Sequence, residues 1–151
     1  MARPRTRSRA APLIATAPFG PRLAAARVAE ALARGLREGG VTALEPVAIT
    51  SGHDRGEALR ALLAGLDFDA RMRGARVVIV GERRLDERTL EGSAAFEIAT
   101  RARQAGVPAY AVTAANRLDA FDARMLDLQL ILVASGARAL AAAGRELARL
   151  L

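Results

Sequence analysis

The segment ARVVIVGERRLDERTLEGS, residues 75–93, decides how the chain folds. Its first half carries four consecutive β-branched apolar residues, Val77, Val78, Ile79 and Val80, running into Gly81. A short run of that kind, closed by glycine, reads as a strand buried on both faces. In the second half Glu82, Arg83, Arg84, Asp86, Glu87 and Arg88 follow within seven positions. A charged turn leaving a buried strand is either a site or a solvated loop whose ions pair with one another. Its place in the fold distinguishes the two.

Working outward, the same kind of strand recurs. LIATA (13–17) is closed by Pro18 and Gly20, and VPAYAVT (107–113) and LQLILVAS (128–135) follow downstream. TALEPVAIT (42–50) contains Pro46, which cannot donate to a ladder and belongs at a sheet edge. Helical patterns separate these runs: residues 22–40 ending at Gly39 and Gly40, then 57–66, 93–106, 118–126 and 137–151. Ser93 suits the N-cap of the third of these helices and Gly106 its stop. Strands joined by helices pair in parallel, with right-handed crossovers covering both sheet faces. The expectation is an α/β fold: a single three-layer, doubly wound, Rossmann- or flavodoxin-like domain of about five mostly parallel strands over residues 13–151. The prior strand order for five strands is 2-1-3-4-5.

The 151 residues suit one domain, and with 52% hydrophobic but 3% aromatic residues its core must be aliphatic. No cysteine is present, which excludes a disulfide framework and a thiolate metal site; the single His53 excludes a multi-histidine zinc site. His53 itself reads as an exposed turn residue. Phe19, Phe68, Phe96, Phe121 and Tyr110 read as core or interface fillers, and Met72 and Met125 as packing. All 23 basic residues are arginine, and Arg3, Arg5, Arg7 and Arg9 crowd the start. From residue 13 onward 19 arginines face 16 acids, so the +7 net charge is mostly that of residues 1–12, read as a disordered Arg-rich tail. That balance argues against a nucleic-acid partner. Residues 1–29 contain no acid, as in transit peptides, but PLIATAP is too short for a secretory core. No run approaches the ~18 apolar residues of a membrane span. The reading is a cytoplasmic protein with no membrane partner.

Open α/β sheets bind ligands beyond the carboxyl ends of their strands. APFGPR, TSGHDRG, GERRLDERTLEGS, TAANR and SGA all fall there. Gly81 and Gly92 allow close backbone approach to a ligand, and the helix starting at Ser93 favours an anion. Glu82 and Asp86 suit a magnesium ion or a hydroxyl, and Arg84 a phosphate or carboxylate. Neither a P-loop nor a GxGxxG fingerprint is present.

VVIVGERRLDERTLEGS resembles the TGEGRLDxQTLxGK signature of bacterial glycerate kinases, with Gly81, Glu82, Arg84, Leu85, Asp86, Thr89, Leu90 and Gly92 in register. The resemblance adds Thr89 to the binding candidates. ATRARQAGVPAYAVT resembles the family's following helix, G-V-P turn and strand. Upstream, LIATAPFGPRLAAARVAEALARGL is similar to its N-terminal VIAPDSFKGSLSAxEVAEAIxxGL. The departures are informative. Ala17 replaces the aspartate and Gly20 the lysine of the DSFKGS motif, while Arg83 replaces a glycine, Arg88 a glutamine and Ser93 a lysine of the signature. The ADGGEGT motif is missing, and only about 25 residues separate PVAI from RVVIVG, where the family inserts a second domain.

The resemblance implies ATP-dependent phosphorylation of glycerate, with ATP and Mg2+ as cofactors. The departures imply a degenerate, one-domain form with weak or no activity alone. Two other readings follow: a non-catalytic module binding a small organic acid or nucleotide, or a subunit completed by a partner. Removal of an inserted domain and the Ala/Leu-rich helices both point to a homo-oligomer or a partner subunit.

Overall fold

The computed structural model describes residues 10–151. The part of the expected tail at residues 1–9 lies outside the described residues. Ala11 and Pro12 already belong to the fold, their carbonyls accepting hydrogen bonds from the amides of Arg76 and Glu45.

Five parallel strands form one sheet: β1 (Leu13–Thr16), β2 (Glu45–Ala48), β3 (Val78–Leu85), β4 (Ala109–Asn116) and β5 (Leu130–Val133). Their order is β2-β1-β3-β4-β5. Pro46 stands on the edge strand β2, where its missing N–H breaks no interior ladder. Helices α1 (Ala25–Glu38) and α6 (Ala137–Ala148) cover one face, closing Val28, Leu32, Leu36, Leu140 and Leu147 over Ile14, Ile79 and Val112. On the other face α2 (Gly56–Gly65), α3 (Phe68–Arg73) and α4 (Ala94–Ala105) bury Leu59, Leu63, Phe68, Met72 and Ile98 against Val78 and Val80. The short α5 (Ala120–Leu126) leads from β4 to β5. Each fully buried Leu, Ile or Phe contributes about 1.5–3 kcal/mol of hydrophobic stabilisation, so an aliphatic core suffices.

The apolar faces of α1 and α6 are turned on each other. A Cβ at Gly35 would lie 1.9 Å from the Ala141 carbonyl oxygen, and one at Gly144 only 2.3 Å from that of Leu32. The two glycines let the helix backbones touch, so these faces are spent inside the molecule.

Two elements differ from the sequence reading. The segment after Gly81 is not a turn: β3 continues to Leu85, paired with β4 through Arg84↔Ala115 and Leu85↔Asn116. With eight residues each against four in β1 and β5, β3 and β4 project past their neighbours at the carboxyl edge. The helix expected at 57–66 is followed by a separate α3, turned by Asp67 in the left-handed region at φ 52°.

Candidate functional site

Because β3 alternates its side chains across the sheet, Glu82 and Arg83 point to opposite sides. Glu82 faces α2 and α4. There it accepts a hydrogen bond from the Ser93 hydroxyl (3.2 Å), and Ser93, itself buried, caps α4 by accepting from the Phe96 amide. The loop before α2 closes over this pair: Arg55 bridges Ser93, the Gly56 amide donates to the Gly92 carbonyl, and the Arg55 guanidinium donates to the Arg88 carbonyl at 2.9 Å. Burial pushes the Glu82 carboxyl up to about 7, against the lowering effects of the Ser93 hydroxyl, the Arg55 charge and the Ala95 amide; Asp54 adds to the rise. Asp54 and Arg55 lie in the carboxyl-edge segment TSGHDRG, but nothing in their local pattern marks them as neighbours of Glu82. His53 is exposed, its ring nitrogen 3.2 Å from the Thr50 hydroxyl.

Beyond β3 the chain enters a 3-10 helix, Glu87–Glu91. Asp86 caps it: its carboxylate accepts from the Arg88 amide at 2.9 Å, while the Thr89 hydroxyl accepts from the Asp86 amide. The other Asp86 oxygen pairs with Arg84 at 2.9 Å. Gly92 ends the helix at φ 102°, a conformation glycine adopts without strain. A Cβ at Gly81 would lie 2.9 Å from the Thr16 side chain, so this glycine fits the sheet close beneath α1. Gly81, Asp86, Thr89 and Gly92 thus each have a structural partner. Glu82 and Asp86 are engaged separately, and among the described residues no group of three or more His, Asp or Glu residues is placed to hold a metal.

On the opposite side of β3 lies an open cleft of about 650 Å³. Four of the five carboxyl-edge segments meet there: Phe19, Arg22 and Leu23; Arg83 and Arg84; Ala114 and Ala115; Ser135, Gly136 and Ala137 at the start of α6. Among the described residues no acidic side chain lines it. Arg84 is partnered by Asp86, whereas Arg22 and Arg83 have no ion-pair partner among the described residues. The Arg83 guanidinium extends over the β1–α1 loop, its Cζ 3.6 Å from where a Cβ at Gly20 would be. Such a surface suits a small anion. Sequence pattern does not single out Arg22, and it shows Arg83 only as a departure from the family signature.

The family model for the glycerate kinase family matches residues 39–151, three quarters of the chain. The chain belongs to the glycerate kinase family. The matched range takes in β3, the 3-10 helix, α4 and the start of α6, and leaves out the β1–α1 loop that carries Arg22. Among curated proteins none matches this family member. Among solved structures, it is similar to a crystal structure described as a pilus assembly-related protein from Burkholderia pseudomallei, at 19% identity and a TM-score of 0.53. That likeness covers 98% of this chain and 96% of the other, and it concerns the fold. Among the described residues no helix is long and apolar enough to cross a membrane.

Proposed function

We propose that this glycerate-kinase-like protein binds a small organic acid or the phosphates of a nucleotide in the arginine cleft, and that by itself it transfers phosphate weakly or not at all. The observation that carries the reading is the position of Arg83. The family motifs place a lysine where Gly20 stands and a glycine where Arg83 stands. Both exchanges meet at one point in space, since Arg83 reaches back over Gly20. A cation lost from the loop is supplied from the strand, beside Arg22 and the first residues of α6. A surface shedding an unused site has no reason to keep that charge.

Weak transfer follows from what surrounds the cations. Phosphoryl transfer needs a positioned metal and a water-excluding enclosure. Arg84 is 60% exposed, and among the described residues no acidic side chain lines the open cleft. Magnesium would have to arrive with the nucleotide.

Calorimetric titration of the chain with glycerate, inorganic phosphate and Mg-ATP tests the reading. At least one of the three should bind, and Arg83→Gly should weaken it by about ten- to a hundredfold, the 1.5–3 kcal/mol of a hydrogen bond to a charged group. Arg83→Lys should recover part of the loss. Binding that is absent in the parent chain, or indifferent to Arg83, would remove the cleft as the site.

A further inference from the structure

The two edges of the sheet are treated differently by the sequence. At β2, Pro46 removes a donor and Glu45 sets a charge on the rim. At β5, Leu130, Ile131, Leu132 and Val133 carry neither proline nor charge, none is fully buried, and Val133 is 63% exposed. A bare apolar edge of this kind is a template for another strand, and stable proteins ordinarily blunt or cover it. The apolar faces of α1 and α6 are occupied by the sheet and by each other, whereas this edge is left open.

We propose that two copies of the chain pair antiparallel along β5 about a two-fold axis, joining their sheets into one. Charge complementarity selects a second copy as the occupant. Antiparallel pairing lays the residues preceding β5 in one copy against those following β5 in the other. Asp127 precedes β5, and Arg138, in the first turn of α6, follows it. Both are exposed, and neither has an ion-pair partner among the described residues. A two-fold axis therefore brings each Asp127 toward the other copy's Arg138, twice over. Phe121, 65% exposed, and Met125, 52% exposed, lie on α5 leading into β5 and add apolar surface to the same margin.

Light scattering across a wide concentration series checks the proposal on the full chain, which should be dimeric. Val133→Lys places a charge on the edge, and Arg138→Glu sets like charges across the axis. Each should weaken the dimer at least about tenfold, with melting curves confirming that the fold is kept. High salt should restore Arg138→Glu toward the parent but leave Val133→Lys dissociated, since only the first acts through screened charge. A parent chain that stays monomeric throughout, or a dimer indifferent to both variants, would overturn the proposal; neither outcome bears on the arginine cleft.

Discussion

At the scale of the residue, Glu82 is the group whose behaviour departs furthest from its free form. Its carboxyl ionises ordinarily near 4.5 and in the folded chain at about 7. Between those values the unfolded chain has released a proton that the folded chain retains. The contribution to stability is therefore complete below pH 4.5 and is lost as the pH rises through 7. The full span corresponds to about 3 kcal/mol, reduced where water reaches the carboxylate. Glu82→Gln keeps an acceptor for the Ser93 hydroxyl and removes the titration. Its melting temperature should equal that of the parent at pH 4.5 and exceed it by several degrees at pH 8. Parallel melting curves at the two pH values would show that burial does not govern this carboxyl. The sequence put Glu82 beside Asp86 as joint ligands. It offered no sign that pleating would send Glu82 toward Ser93 while Asp86 folded back onto the Arg88 amide. Arg83 was visible as an anomaly, but its link to Gly20 is tertiary and has no local signature.

At the scale of the element, propensity and packing make opposite predictions for the glycines between α1 and α6. Alanine in a helix interior is favoured over glycine by about 1 kcal/mol. At Gly144, however, the added methyl would stand 2.3 Å from the Leu32 carbonyl oxygen, and backbone cannot swing aside as a long side chain can. Overpacking of this kind costs about 1–3 kcal/mol and separates the helices besides. Gly144→Ala should therefore lower the melting temperature by several degrees despite the better helix former, and calorimetry decides the sign. The caps of α4 at Ser93 and Gly106 were legible because cap chemistry is local. The extension of β3 was not, because three charged residues, Glu82, Arg83 and Arg84, interrupt the apolar pattern before Leu85, whereas β4 pairs with this stretch regardless of polarity. The break before α3 was equally hidden: Asp67 turns the chain without glycine or proline.

At the scale of the molecule, the alternation of strands and helices was enough to anticipate a parallel, doubly wound sheet, and the edge position of β2 followed from Pro46. Which loops would meet was beyond local pattern, since the cleft draws on β1, β3, β4 and β5 together. Its exposure has a kinetic correlate: a coupled assay with ATP and glycerate should detect at most trace turnover. A rate in the usual enzyme range of about 1–1,000 per second would contradict the binding role. The projection of β3 and β4 beyond the sheet also sets the thermodynamics of capture. Arg83 rides on paired backbone that is already ordered, so a ligand held by it would freeze a guanidinium rotamer without ordering that stretch of chain. Binding should then proceed without the entropic penalty of folding a lid, at a rate governed by electrostatic steering and slowed by added salt.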